Sequence, residues 1–459
     1  MQENDRLHSL NIYEPKLIMA KRRRLPQTPV EVQIESLSQD GRGVTHIDGK
    51  AIFIDGALPN ERVMFQYTGK RRKYAEGKVV EILEASPDRV EPKCEHFGLC
   101  GGCSLQHLDA QAQIHYKQTA MLDSLKHIGK VTPEQVFEPL TGDTWGYRRK
   151  ARLGAKFVYK KDRALVGFRE RRNGFLADLK ACEVLHPDVG HRLTDLQDLI
   201  GKMSIKEAIP QIEVAIGDNN TSLIVRHLKP LSEDDLALFK QYAIDFKAQL
   251  YLQSGGIDTI KLLHPEQAEL YYEHADFDTR IDFGPNDFFQ VNSSINRKMV
   301  PWVVDLLDLS GKEKVLDLFC GLGNFTLPIA RQAQSVTGVE GDQIMVQRAK
   351  QAAMDNGIEN TDYYACNLMG DLSQADWFKQ TYDRILLDPP RSGAKEVIED
   401  KRFAKLGASK IVYVSCHPAT LARDAGTLVH THGYKLVAAG VMDMFPHTAH
   451  VESIAVFEK

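Results

Sequence analysis

A chain of 459 residues is too long for one hydrophobic core, so two or three domains are expected. Apolar residues at 43% and charged residues at 26% are ordinary for a globular protein. There is no run of eighteen apolar residues, and Met1 to Leu25 lacks the apolar core of a signal peptide, so the chain reads as cytoplasmic, with no membrane span. The net charge of −4 hides an uneven distribution. Twelve Lys/Arg face four Asp/Glu between Thr141 and Cys182, and basic clusters stand at Lys21-Arg22-Arg23-Arg24 and Lys70-Arg71-Arg72-Lys73. Such clusters in the front half of an otherwise acidic chain favour a polyanionic partner, and nucleic acid over membrane because no amphipathic anchor accompanies them. Seven cysteines, three of them between Cys94 and Cys103, point to metal or catalysis rather than a disulfide framework.

Residues 1–24 form a basic N-terminal segment. From about Val30 to Leu83, short β-like runs (Val30 to Ile34, Ala51 to Ile54, Gly77 to Ile82) are broken by Gly- and Asn-containing turns, which indicates a small barrel. Gly41-Arg42-Gly43-Val44, followed by Gly56-Ala57-Leu58-Pro59-Asn60-Glu61-Arg62-Val63, resembles the TRAM domain, an OB-like RNA-binding module, here placed at 25–85. Its Lys70-to-Lys73 turn would supply the phosphate contacts.

A central α+β domain is expected over 86–275. It opens with Cys94-x5-Cys100-Gly-Gly-Cys103, with Cys182 alone downstream. Four thiols fit a tetrahedral zinc or a 4Fe-4S cluster, and spacing does not separate the two. The pattern is not the C-x3-C-x2-C of radical enzymes. Between Ala110 and Ile128, the positions Ile114, Met121, Leu122 and Leu125 predict a packing helix. Tyr147-Arg148-Arg149-Lys150-Ala151-Arg152 and Gly167-Phe168-Arg169-Glu170-Arg171-Arg172 interleave aromatics with arginines on strand-like stretches, a combination suited to phosphates and unstacked bases of RNA. From roughly Gln211 to Leu263 the chain alternates strands with one helix and carries no usable motif.

The last domain, 276–459, carries the chemistry. Lys314 to Phe325 reads as strand, glycine turn and helix start, but Asn324-Phe325-Thr326 stands where a dinucleotide fingerprint has its third glycine. The next strand, Ser335 to Glu340, ends in a carboxylate placed for ribose hydroxyls. Asp388-Pro389-Pro390-Arg391 closes a further strand. As a set these resemble a Rossmann-like class I methyltransferase that uses S-adenosylmethionine. Ile411-Val412-Tyr413-Val414-Ser415-Cys416-His417-Pro418 is a buried parallel strand that delivers a thiol to its end, where the ligand crevice opens. In Val451 to Phe457 both strand faces are mostly apolar, so Glu452 must be hydrogen-bonded or must work; a carboxylate held by His447 or His450 is the alternative.

The cysteine pattern lies between a TRAM domain and this methyltransferase half, and Phe445 to Glu452 follows near the C-terminus. Together they resemble the 23S ribosomal RNA (uracil-5-)-methyltransferases of the RlmD type, from about Val30 to Glu452. The resemblance implies C5 methylation of a uridine, 1939 by family naming, in 23S rRNA. It implies Cys416 as nucleophile and Glu452 as general base. Gln290, Phe319, Asn324, Glu340, Asn367 and Asp388 would line the methyl-donor pocket, with Gln290 and Asp388 also facing the target base. Cys94, Cys100, Cys103 and Cys182 would hold a 4Fe-4S cluster, expected to be structural because it lies in a different domain from the methyl donor. A monomer is expected. The family usually has Asn after the nucleophile, where this chain has His417, which puts local hydrogen bonding in doubt. Cys320 and Cys366 are expected only to pack. The transfer RNA uridine-54-type enzyme is expected to lack both the TRAM domain and the cluster cysteines, and the second ribosomal paralogue to lack the TRAM domain. The rival from another class is a non-catalytic RNA-binding assembly factor on the same fold.

Overall fold

The computed structural model describes residues 25–459; the cluster Lys21 to Arg24, with the expected segment 1–24, lies outside the described residues. The chain divides into two compact units, one of residues 25–36 and 42–85, the other of residues 37–41 and 86–459.

The smaller unit is all β. Strands β1 (Val30–Gln33), β2 (Ser36–Leu37), β3 (Gly43–Ile47), β4 (Lys50–Asp55), β5 (Arg62–Lys70) and β6 (Tyr74–Glu84) run in the order β1–β5–β6–β4–β3–β2. Alternation along the strands sends Ile52, Ile54, Val63, Phe65 and Ala75 into one core. The register of β5 against β6 shifts at three places, and such bulges bend strands and curl a sheet. Gly77 is required in β6, because a Cβ there would lie 2.4 Å from the Phe65 ring. Lys70 to Lys73, at the β5–β6 turn, are all exposed.

In the larger unit the helix Ala110–Ser124 and the short strand β7 (Gln135–Val136) come first. A mixed sheet follows, built from β8 (Lys150–Val158), β9 (Arg163–Gly167), β10 (Gln211–Ile216), β11 (Thr221–Arg226), β12 (Ala248–Gln253) and β13 (Ile260–His264) in the order β13–β12–β11–β10–β8–β9. The helices Leu193–Lys202 and Glu233–Asp245 pack on it through Leu196, Ile200 and Phe239. A hairpin, β14 (Tyr271–His274) and β15 (Thr279–Asp282), leads to the last sheet.

That sheet comprises β16 (Lys314–Leu318), β17 (Ser335–Glu340), β18 (Thr361–Ala365), β19 (Arg384–Leu387), β20 (Lys410–Ser415), β21 (Lys435–Met442) and β22 (Glu452–Glu458), with β7 at one edge. The order is β18–β17–β16–β19–β20–β22–β21–β7. From β18 to β20 the pairings are parallel, and β22 runs antiparallel between β20 and β21. The inner strands are near-continuous apolar runs because both faces are covered. The helices Ala110–Ser124 and Pro418–His430 bury Ile114, Met121, Leu421 and Leu428 on one face. On the other, Ser293–Leu307 and Gln343–Asp355 bury Met299, Val303 and Val346. The segment 86–275 is therefore not confined to the central sheet, since its first helix finds its apolar partner on the last one. Among the described residues no helix is long and apolar enough to cross a membrane.

Candidate active site

The strand order reverses between β16 and β19, and at such a switch point the loops at the carboxyl ends diverge and leave a crevice. The chain after β16 turns back through left-handed backbone at Phe319, Gly321 and Gly323, with φ of 67°, 54° and 93°. Asp317 near the end of β16 accepts a 2.5 Å bond from the Thr326 hydroxyl, which ties the strand to the helix beyond the turn. Glu340 at the end of β17 accepts from the backbone N–H of Gly321 (3.2 Å), Gly341 (2.7 Å) and Asp342 (3.1 Å), so its carboxylate is fixed on the crevice edge. Asn324 and Asn296 exchange side-chain bonds of 2.9 and 3.0 Å, and His274 Nε2 lies 3.1 Å from Asn324 Oδ1.

The crevice is a cavity of about 540 Å³, and Gln290, Phe319, Asn324, Glu340, Asp388, Cys416 and Glu452 all line it. Asn367 is not among its lining residues. It is exposed just beyond β18 and its side chain accepts from the backbone N–H of Met369 at 3.1 Å. Sequence reasoning passed over Tyr272, Phe288, Phe289 and Met345, which supply apolar wall, and over Arg391 and His450, which supply nitrogen. Arg391 follows the Asp-Pro-Pro and His450 lies in Phe445 to Glu452, both motifs already singled out; Phe288 and Phe289 immediately precede Gln290, and Tyr272 and Met345 come from elements that carried no signal. Cys320 also lines the cavity, buried, with its thiol pushed well up by desolvation.

Cys416 and Glu452 meet through strand register. β20 and β22 pair Ser415 with Ser453, so one further antiparallel step sets Cys416 beside Glu452, whose other flank is Met442. Burial pushes the Cys416 thiol up to about 11, helped by the nearby Glu452 and Asp388 and opposed by Arg391. Burial also drives the Glu452 carboxyl well above the usual carboxylate range, again with Asp388 adding and Arg391 opposing. Asp388 is pushed up to about 7 by the same desolvation. Desolvation thus raises Cys416, Glu452 and Asp388 together at this end of the cavity, and a cationic ligand there would lower all three again. Neither histidine holds Glu452. His447 Nδ1 receives a 3.3 Å bond from Gln113 Nε2 and its ring stacks on Trp145 at 3.8 Å. His450 Nδ1 lies 3.0 Å from Arg391 Nη2, and partial burial together with that guanidinium lowers its pKa. His417 is not a lining residue. It caps the helix Pro418–His430 without a side-chain bond, and its backbone N–H donates to Ser415 Oγ at 3.2 Å.

Cys94, Cys100, Cys103 and Cys182 line a second cavity of about 420 Å³. The Gly102 N–H points at Cys100 Sγ from 3.4 Å. Backbone groups of His96 and Phe97 reach Cys94, those of Val184 and Leu185 reach Cys182, and the Gln106 side chain reaches Cys103. Donors aimed at half-buried sulfurs suit thiolates screened by a metal centre. Among the described residues no three or more His, Cys, Asp or Glu converge on one metal-ion position.

Two expectations need correction. The cysteine chamber is not remote from catalysis: both cavities lie in the larger unit and His450 lines each of them, because the segment Asp443 to His450 folds back between them. Nor does Tyr147 face outward for a base to stack on. It is 4% exposed and its hydroxyl donates to Pro446 O at 3.0 Å. Phe168 likewise turns inward to the cysteine chamber, and the exposed aromatics between Thr141 and Cys182 are Tyr159 and Phe175. Arg149 is engaged by Gly217 O and Asp218.

Residues 267–459 match the family described as tRNA (Uracil-5-)-methyltransferase, and residues 23–80 match the TRAM domain family. A 23S rRNA (uracil(1939)-C(5))-methyltransferase RlmD from Alcanivorax borkumensis is 55% identical over 96% of this chain and 99% of its own length. Its counterpart from Alkalilimnicola ehrlichii is 51% identical over 96% of this chain and 98% of its own length. Among solved structures, the Pyrococcus abyssi tRNA (uracil-54, C5)-methyltransferase in complex with S-adenosyl-L-homocysteine has a TM-score of 0.71 and 21% identity, covering 93% of this chain and 100% of its own. At 21% identity that likeness shows the fold alone and does not separate ribosomal from transfer RNA enzymes. Sequence identity does separate them: at more than half identical over nearly its full length, the chain belongs to the family of 23S rRNA (uracil(1939)-C(5))-methyltransferases.

Proposed function

We propose that this protein methylates C5 of a 23S rRNA uridine, position 1939 in its relatives' naming, with Cys416 as nucleophile and Glu452 as base. The observation that carries the reading is the meeting of Cys416, Glu452 and Asp388 in one cavity at the switch point of the sheet. When bound, S-adenosylmethionine supplies an electrophilic methyl group on a cationic sulfur. Gln290, Phe319, Asn324, Glu340 and Asp388 would hold it, Glu340 through the ribose hydroxyls; for Asn367 the cavity offers no support. Uracil C5 is a weak nucleophile. The Cys416 thiol would give its proton to solvent and, as thiolate, bond to C6, the pair of the C5–C6 double bond moving to C5, which would then take the methyl group as its bond to the donor sulfur breaks and leaves a neutral thioether. Glu452 then removes the C5 proton, the double bond re-forms and the C6–S bond breaks, returning Cys416 as thiolate. The target nucleotide must be extruded for both faces of the ring to be reached. Covalent trapping tests the reading. RNA carrying 5-fluorouridine at the site is expected to form a stable protein–RNA adduct with the wild type and none with Cys416→Ala, and an equal adduct with both would overturn it.

The four cysteines of the second cavity would hold a 4Fe-4S cluster. Four thiols lining one cavity are the donor set of such a cluster and also of a tetrahedral zinc, so colour and metal content decide between the two. Anaerobically purified protein is expected to be brown, and Cys103→Ser to lose the visible absorbance; colourless protein with stoichiometric zinc would overturn the assignment. The barrel of residues 25–85 is proposed as an RNA-holding module, and the protein as a monomer.

A further inference from the structure

Between the two cavities runs the segment Asp443 to His450, and its hold is unusual. At its centre His447 lies in left-handed backbone, with φ of 62°, a conformation that a non-glycine residue keeps only when its surroundings impose it. The restraint comes from the cysteine loop and from one helix. Ser104 N–H and Leu105 N–H both donate to His447 O, at 2.9 and 3.0 Å. Ser104 Oγ accepts from the Ala449 N–H at 3.1 Å. From the helix Ala110–Ser124, Gln113 Oε1 accepts from the His447 N–H at 2.8 Å, while Gln113 Nε2 donates to Leu105 O and Leu108 O at 3.0 and 2.7 Å. Gln113 thus joins the cysteine loop to the turn, and Ser104 directly follows Cys103. Three residues past the turn His450 meets Arg391, and two further on Glu452 begins β22.

We propose that Gln113 and Ser104 are positioning residues, and that an intact cysteine loop sets, through the His447 turn, the placement of His450, Arg391 and Glu452 needed for proton removal. The inference rests on the roles given above to Glu452 and to the four cysteines. Loosening the turn should leave the methyl-donor side of the cavity alone, since Phe319, Asn324 and Glu340 are fixed by β16, β17 and their own bonds.

The test follows one turnover with methyl-labelled donor on Gln113→Leu, Ser104→Ala and Ser104→Thr, with Glu452→Gln in parallel. Gln113→Leu and Ser104→Ala are expected to bind S-adenosylhomocysteine within about twofold of wild type yet release product about tenfold or more slowly, accumulating adduct that already carries the label. Ser104→Thr, which keeps the hydroxyl, should release normally. Stripping the wild-type centre with a chelator should raise deuterium uptake at residues 443–450. Normal release by both variants while Glu452→Gln stalls, equal loss of donor binding, or unchanged uptake after stripping would each overturn the inference alone. A Glu452→Gln that releases normally would instead overturn the role given to that base.

Discussion

Glu452 is a single ionisable group that works against the fold it sits in. Unfolded, its carboxyl titrates near 4.5; folded, burial holds it far higher. Between those values the folded chain binds more protons than the unfolded one, so this group's contribution to stability falls as pH rises through the window. Asp388 acts in the same sense between 3.8 and about 7. Glu452→Gln is therefore expected to melt higher than wild type at about pH 8, the gap closing toward the unfolded pKa. Melting curves at the two pH values check this, and a variant that melts lower at the alkaline end would mean the carboxylate is held by bonds. The same variant should lose turnover by a factor of about 10²–10⁴. The burial of Glu452 was legible from the apolar run around it. Its independence of His447 and His450 was not, because both rings are claimed by residues far away in the chain, Gln113 and Arg391.

The helix Ala110–Ser124 shows what an element's pattern conceals. Ile114 and Met121 marked its packing face, and Lys117 falls on the same stripe, fully buried. Its Nζ donates to Asp443 Oδ1 at 2.7 Å and to Phe445 O at 2.9 Å. A lysine at a core position reads as a solvated interruption, since lysine is almost never buried unless paired, and its partner lies 326 residues away. Lys117→Met would leave Asp443 buried without its counter-charge, and a loss of about 3–5 kcal/mol is expected in urea denaturation. An unchanged midpoint would show that Asp443 finds water on its own. The strands and glycine turn of the methyltransferase half were legible for the opposite reason: their signals are local, set by branched runs and left-handed positions. The turning-in of Tyr147 and the exposure of Asn367 depend on what packs above them, which no local pattern encodes.

Over the whole molecule, charge is distributed by task. The Lys70-to-Lys73 turn stands exposed on the barrel, while the basic stretch after Thr141 is partly spent on internal pairs such as Arg149 with Asp218 and Arg163 with Asp178. Removing residues up to about Leu83 is expected to weaken RNA binding and to lower the slope of log affinity against log salt by about 0.7–0.9 for each phosphate that the barrel no longer neutralises. Binding isotherms at several salt concentrations read this directly, and an unaltered slope would take the barrel out of RNA recognition. The sheet order has a consequence for how the molecule comes to be. β22 follows β20 and β21 in the chain yet lies between them. Until it inserts, β20 and β21 each present an unpaired edge, and Cys416 faces no carboxylate from Glu452. Such distant pairing is slow to form. The pairing that sets Glu452 beside Cys416 is thus expected late in folding: on the roles proposed above, an unfinished molecule would display the thiol and the glycine turn before the carboxylate that lets the RNA go.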